Sequence, residues 1–531
     1  MNQKKTPLID AVRTFRNEEN AYFRIPGHRE EKGADARSVR LLGRKAFRSD
    51  LTEAEGLDDL HAPSGAIRQA QQLAADLYGA DRSWFLVNGT TCGNEAMILS
   101  AVREGEKILV PRNAHKSVLM GLVLSGAVPV WMQPAYDRGW GLAGAVRPET
   151  VKRELERDPG IKAVFLVSPT YYGICSDIRA IAAICHRHGV PLLVDEAHGA
   201  HLYFSDLTPE GALRQGADLC SQSTHKTAGS FTQSSMLHIK SRLVREEAVD
   251  ASLKLVMSTS PSYLLMSSLD GARHGLAMHG REWIEKAWHL AFRARKALEK
   301  IDGAEVWQPG WTSEDHVFCP AADPLRLVFS LRRCGLSGYE LQKRLYEESG
   351  ISLELADQQL AAAVITWGNT DRDITRLIQG VRRIAENAPH ISGRYYGRQE
   401  TAGYHMPEML LTPREAWYSR TESVPLSESE GRIAADSIIP YPPGIPVLNP
   451  GEKIDQEMVR FISRALEGGL SIHGLSDPKG ETVRVVKMCG DCKGRAAGEP
   501  DGKTAKGKET DASKRRWRRT DSGTPKKRRR L

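Results

Sequence analysis

The chain has 531 residues, 40% hydrophobic and 26% charged, which is the profile of a globular protein of two to four domains. No run of eighteen apolar residues occurs, which excludes the signature of a membrane-spanning helix. The first twenty residues lack the apolar core and cleavage site of a signal peptide, so a cytoplasmic protein is expected. The net charge of +8 is unevenly placed. Residues 488–531 hold fifteen Lys/Arg against six Asp/Glu, so the other 487 residues together carry −1.

In chain order, residues 1–80 read as an N-terminal arm and the start of a major domain. Residues 81–315 complete that domain. FLVNGTTCGNEAMIL (85–99) puts Gly89, Thr90 and Thr91 at a strand-to-helix turn, with GNEAMILSAV (93–102) as the helix. KILVPR (107–112), AVFLVSP (163–169), PLLVDEAH (191–198) and SSMLHI (234–239) are short apolar runs expected to be buried strands, and SDIRAIAAICHRHG (176–189) is a helix pattern. This alternation predicts βαβ units and an α/β fold with a parallel sheet covered on both faces. Ligands bind such sheets where the strand ends cluster.

Residues 316–390 predict a smaller α+β domain. PLRLVFSL and AAAVITWG are strand-like; SGYELQKRLYEESG and DRDITRLIQGVRRIAE are amphipathic helices. Residues 391–487 are marked by prolines, as in IIPYPPGIPVLNPGE, which argue against regular helix and for a segment that wraps over other parts. Residues 488–531 have too few apolar residues to build a core and read as a disordered basic tail. Its KRRWRR and KKRRRL clusters leave contact with nucleic acid open as a partner reading, set against a solvated appendage.

Eight cysteines are scattered without a disulfide framework. Only Cys489 and Cys492 form a CxxC, and no second ligand pair follows, so no metal site is expected.

One stretch stands apart. SQSTHKTAGSFTQSSM (221–236) sets Lys226 among hydroxyls, amides and small residues, with no apolar periodicity around it. Asp195 lies just past the strand residues LLV, thirty-one positions earlier. Each part has a plain structural reading: Lys226 as a solvated loop lysine, Asp195 as a helix cap, and GTT as an ordinary turn. Together they supply an amine for a carbonyl, a carboxylate for a pyridinium nitrogen and a helix N-terminus for a phosphate. Those are the three anchors of pyridoxal 5′-phosphate. Thr90, Thr91, Ser223 and His225 would complete the phosphate cup.

The chain resembles the ornithine/lysine/arginine decarboxylase family in its short form, without an N-terminal wing domain. The matching stretches are FRIPGHRE (23–30), EGLDDLHAPSGAIRQAQQLAADLYGA (55–80), FLVNGTTCGNEAMIL (85–99), VPRNAHKSV (110–118), SPTYYG (168–173), VDEAHGAH (194–201), QSTHKT (222–227), STSPSYLLMSSLD (258–270), ISLELAD (351–357) and IIPYPPGIPVLNPGE (438–452). They run in the expected order from Thr6 to Lys487. The resemblance implies a fold type I, aspartate aminotransferase-like major domain and a homodimer with shared active sites. It implies decarboxylation of lysine, arginine or ornithine to an amine of polyamine metabolism. It gives Lys226 the Schiff-base role and Asp195 the ring nitrogen. His115 takes a ring face, and Ala197 and His198 lie against the ring. Thr90, Thr91, Ser223 and His225 bind the phosphate, together with Ser258 from the neighbouring subunit. Lys226 or His225 would return the proton to the substrate carbon. Arg24 stands where the family has histidine, and PGHR replaces PGHK; both departures lie near the N-terminal arm, not among the cofactor residues.

Several residues keep two readings. Glu354 and Asp357 could receive the basic end of the substrate near the YPPGIP loop, or Glu354 could lie on an exposed strand face. Asp58, Asp59 and His61 could sit near substrate or form a capped turn. Two other functions remain: an aminotransferase or other lyase on the same fold, and a nucleic-acid-binding protein with an inactive body.

Overall fold

The computed structural model describes residues 1–18, 21–137, 139–308, 318–388, 406–441, 445–467, 471–477 and 480–487. The basic tail with Cys489 and Cys492 lies outside the described residues, as do Pro442, Pro443 and Gly444 of the YPPGIP loop. Met1–Lys487 form one compact unit.

Helix α1 (Pro7–Asn17) opens the chain, with proline in its first turn, where no N–H is needed. Helix α2 (Ala66–Tyr78) leads into the central sheet and buries Ile67, Ala70, Leu73 and Ala74 on one side. Its entry is fixed by Asp58, whose carboxylate accepts the N–H groups of Ser64, Gly65, Ile67 and Arg68 at 2.7–3.2 Å. Asp58 therefore forms the capped turn that was one of its two readings.

The sheet has seven strands: β1 (Arg82–Leu86), β2 (Lys107–Pro111), β3 (Val128–Met132), β4 (Ile161–Val167), β5 (Leu192–Asp195), β6 (Leu219–Gln222) and β7 (Ser235–Ile239). Their order is β1-β7-β6-β5-β4-β2-β3. Pairings from β6 through β3 are parallel, whereas β7 is antiparallel to both neighbours. SSMLHI was expected to be a strand of a parallel sheet. It is a strand, but its direction is reversed. The link from Gln222 to Ser235 holds only a helical turn at Thr224–Thr227, too little for a parallel crossover. The strand β1 was implied by the strand-to-helix turn at Gly89, whereas β3 and β6 carried weaker apolar runs and went unmarked in the sequence.

Helices α3 (Gly89–Ala101) and α4 (Lys116–Ser125) follow β1 and β2 and start at the same sheet edge. Helix α5 (Tyr263–Leu298) joins two cores. Tyr263, Met266 and Leu269 belong to the core of the large sheet, and Ile284, Leu290 and Leu298 to that of the small domain. The small domain has four antiparallel strands, β8 (Glu305–Val306), β9 (Arg326–Ser330), β10 (Leu355–Ala356) and β11 (Ala361–Val364), in the order β8-β9-β11-β10. Helices α6 (Gly338–Ser349) and α7 (Asp371–Glu386) pack on it, as their periodicity predicts.

The region expected to wrap without helix instead has a core of its own, including Leu448, Met458, Ile462, Val483 and Val485. It contains the antiparallel pair Thr421–Pro425 with Thr482–Val486 and the helices Pro413–Tyr418 and Gln456–Glu467. Pro413 is in the first turn of its helix behind a Thr412/Glu415 capping box, a place where proline is tolerated, and Gln456–Glu467 contains no proline. Among the described residues no helix is long and apolar enough to cross a membrane.

Candidate active site

The strand ends bring the chemistry together. Asp195 ends β5, the turn after β6 carries Ser223, His225 and Lys226, and the loop after β2 carries His115. Helix α3 starts beside them. Thr90 Oγ1 lies 2.6 Å from Ser223 Oγ and 3.1 Å from Ser235 Oγ. The N-cap residue Asn88 makes no side-chain capping bond, because its amide oxygen accepts Ser258 N–H at 3.1 Å. The first-turn N–H groups of α3 therefore lack a side-chain cap and border a cluster of hydroxyls, including half-buried Thr91. That arrangement suits a phosphate. His225 Nδ1 is 2.9 Å from the Ser234 carbonyl. The carbonyl only accepts, so the proton is on Nδ1 and Nε2 keeps its lone pair. Burial holds the His225 pKa below its ordinary value.

Asp195 is buried and accepts from Asn94 Nδ2 at 2.8 Å and from Ala197 N–H at 3.0 Å. Among the described residues no Lys or Arg nitrogen pairs with it within 4.0 Å. A buried carboxylate is costly without a cation, and the protonated nitrogen of a pyridine ring supplies one. His115 caps α4: its Nδ1 accepts Ser117 N–H at 3.2 Å, and Ser117 Oγ lies 2.9 Å away. His115 nonetheless keeps solvent access. Burial by the surrounding protein and the nearby Lys226 charge lower its pKa, against the opposing pull of Asp195. These residues fit pyridoxal 5′-phosphate on two counts: the uncapped helix and the carboxylate without a cation.

Lys226 Nζ lies 3.0 Å from His198 Nε2 and 6.0 Å from the centre of the Tyr171 ring. Protein surrounds the amine, while the side chain keeps solvent access through the cleft. Desolvation lowers its pKa, Arg326 adds to that, and Asp195 and Glu354 oppose it. Buried His198 also receives Arg326 Nη2 on Nδ1 at 2.6 Å. Glu354 reaches the same cleft by accepting the Tyr171 hydroxyl at 2.8 Å. Asp357 is engaged elsewhere. It accepts the Tyr172 hydroxyl at 3.0 Å and the N–H groups of Gln359 and Leu360 at 2.7 and 2.9 Å. Asn94, Ser117, Tyr171 and Arg326 were not marked by the sequence reading. Arg326 carried a signal: a lone charge within the apolar run LRLVFS.

This sheet with its reversed strand, and a lysine and aspartate at adjoining strand ends, define a fold type I pyridoxal 5′-phosphate enzyme. The chain belongs to the Orn/Lys/Arg decarboxylase family, whose major domain matches residues 6–373 and whose C-terminal domain matches residues 397–478. It is 38% identical over 489 residues to an arginine decarboxylase of Bacillus subtilis (strain 168), covering 92% of this chain and 99% of that one. It is 27% identical over 560 residues to lysine decarboxylase LdcA of Pseudomonas aeruginosa, covering 84% and 74%. Its fold matches the crystal structure of the Francisella novicida lysine decarboxylase LdcF with a TM-score of 0.78 at 24% identity, over 91% and 81% of the two chains. The protein is thus a pyridoxal-phosphate-dependent carboxy-lyase for a basic amino acid, which displaces the aminotransferase alternative.

Proposed function

We propose that the substrate is arginine, converted to agmatine and carbon dioxide by a cytoplasmic homodimer with shared sites. The observation that carries the substrate is the 38% identity to a protein named arginine decarboxylase over 99% of its length, against 27% to one named for lysine. Bound pyridoxal 5′-phosphate supplies the electron sink that accepts the pair left when the Cα–carboxylate bond breaks. The chain's own residues do the rest. Lys226 provides the amine that anchors the cofactor's carbonyl carbon. Asp195, held by Asn94 and Ala197 N–H, keeps a proton on the ring nitrogen. Thr90, Thr91, Ser223, His225 and the first turn of α3 take the phosphate. His115 would stack on the cofactor ring, and Ala197 and His198 would lie against it. Lys226 or His225 returns a proton to the substrate carbon. Ser258, whose N–H is taken by Asn88 of its own chain, would give its hydroxyl to the phosphate site of a neighbouring subunit, as the family resemblance implies. Glu354, at the cleft and bonded to Tyr171, receives the guanidinium. Asp357 is assigned to the turn it stabilises.

The test is direct. The purified protein is given arginine, lysine and ornithine separately, and released carbon dioxide and amine are measured. Arginine is expected to exceed the other two at least about tenfold in kcat/KM, an advantage worth about 1.4 kcal/mol. A preference for lysine would overturn the substrate and leave the family standing.

A further inference from the structure

The small domain contributes a side chain to the lysine that the sheet carries. Arg326, on β9, is 3% exposed, and its Nη2 lies 2.6 Å from His198 Nδ1. A guanidinium can only donate, so Nδ1 must accept. The proton of the neutral ring is then on Nε2, the atom that faces Lys226 Nζ at 3.0 Å. An N–H directed at that nitrogen needs a lone pair to receive it. An ammonium has none; a free amine does.

We propose that Arg326 is a positioning residue which, by fixing the tautomer of His198, holds Lys226 as a free amine ready to attack a carbonyl carbon. The inference rests on Lys226 being the reacting amine. The charged and titratable groups around that amine are Asp195 at the end of β5, His198 after it, His115 at the N-cap of α4, Tyr171 after β4, Arg326 on β9 and Glu354 before β10. Burial of the amine is the largest influence against the ammonium and the Arg326 charge adds to it, while Asp195 and Glu354 favour the ammonium; the His198 N–H, 3.0 Å away, sides with the free amine. Burial keeps His198 itself neutral, and the Arg326 charge acts in the same direction. Arg326 is held in turn by Asp323, whose Oδ2 lies 3.9 Å from its Nε and 3.1 Å from His201 Nε2. A free amine is the nucleophilic form of lysine, and one ordinarily protonated until about pH 10.4 needs such help at neutral pH.

The full-length protein, stripped of cofactor, is labelled with trace acetic anhydride across a pH series, and acetylation of Lys226 is read by peptide mass spectrometry. The wild-type midpoint is expected at least about one pH unit below that of free lysine. Arg326→Lys keeps the charge but its shorter reach withdraws the donor from Nδ1. It is expected to raise the midpoint by about half to one unit, which is about three- to tenfold slower labelling below the midpoint. His198→Phe is expected to do the same, and the double variant to match His198→Phe alone. An unchanged midpoint in Arg326→Lys would mean that Arg326 acts by charge alone, and additive shifts in the double variant would mean that it acts independently of His198; either would overturn the proposal. If Arg326→Lys fails to fold, an unchanged midpoint in His198→Phe overturns it as well. Mapping the cofactor attachment to another lysine would instead defeat the underlying assignment of Lys226.

Discussion

Arg112 and Glu452, 340 positions apart, form a buried ion pair between the end of β2 and the C-terminal region. Arg112 Nη2 donates to Glu452 Oε2 at 2.8 Å and to the Val447 carbonyl at 2.8 Å, and Asn449 N–H also donates to Glu452 at 2.7 Å. The Arg112 and Glu452 side chains are only 3% and 0% exposed. The pair lies three residues before His115, so it fixes the loop that presents that ring.

Removing one partner leaves the other charge buried alone, which costs about 3–5 kcal/mol, whereas replacing both by apolar groups is often near neutral. Glu452→Ala is expected to lower unfolding stability by about that amount and to weaken cofactor retention through His115. Arg112→Met with Glu452→Leu is expected to recover most of the stability. Urea unfolding and the bound cofactor per chain measure the two effects. A stable Glu452→Ala protein with full cofactor content would show that the pair is incidental.

Lys226→Ala is expected to abolish turnover by at least about a thousandfold, since loss of a covalent catalytic group costs about 4 kcal/mol or more. Borohydride reduction of the wild type followed by peptide mapping should place the cofactor-derived group on Lys226. Its appearance on another lysine would reassign the site.

The parts of this site that sequence reveals are those whose chemistry is local. Asp195 follows an apolar strand, Lys226 stands in a polar run, and Gly89–Thr91 opens a helix, so spacing along the chain already shows strand ends and a helix start. Arg326 could not be read that way. Its partner His198 is 128 residues away, and only the packing of the small domain on the sheet joins them. The direction of β7 was hidden for a related reason: a buried strand has the same apolar run either way, and the short link before it decides. The prolines of the C-terminal region misled because proline breaks a helix interior but not its first turn. Glu354 and Asp357 look alike in ISLELAD. The hydroxyls of Tyr171 and Tyr172 separate them, sending one to the cleft and the other to a turn.

His238 supplies a pH dependence of stability. It is fully buried, with Ser83 Oγ 2.6 Å from Nδ1 and Gln222 Oε1 3.1 Å from Nε2, and burial lowers its pKa to about 3 from 6.5. A base whose folded pKa is depressed stays neutral when folded, while the unfolded chain takes up a proton below about 6.5. Its contribution is therefore intact above pH 6.5 and is lost as pH falls toward 3, by up to about 1.4 kcal/mol per unit. His238→Gln is expected to flatten the stability–pH slope in that window by about one proton. Equal slopes for the two proteins would show that other groups set the acid limb.

Assembly is tested by complementation. If Ser258 reaches a partner's phosphate site, mixing inactive Lys226→Ala with a protein disabled at the STSPSY segment forms heterodimers with one sound site. Exchange of subunits is expected to restore up to about a quarter of wild-type activity per active site: random pairing makes half the dimers mixed, each with one of its two sites sound. Proven exchange without recovery would place each site within one chain.

The far end of the substrate falls to Glu354. Glu354 lies on the small domain just before β10, held across to the large domain by the Tyr171 hydroxyl at 2.8 Å, and its charge is felt at Lys226 and Arg326. A guanidinium drawn into the cleft loses water and needs a carboxylate to replace it. Charge-assisted hydrogen bonds of this kind are worth about 1.5–3 kcal/mol, or roughly ten- to a hundredfold in kcat/KM. Citrulline has nearly the shape of arginine without its charge, so the wild type should discriminate against it by at least that factor. Glu354→Gln should lose most of that discrimination by weakening the arginine reaction, with cofactor content unchanged because Glu354 is not among the residues assigned to the phosphate or the ring nitrogen. A Glu354→Gln protein that still prefers arginine to citrulline by the wild-type ratio would move recognition of the guanidinium to another acid, and Asp357 would then have to leave its turn to supply it.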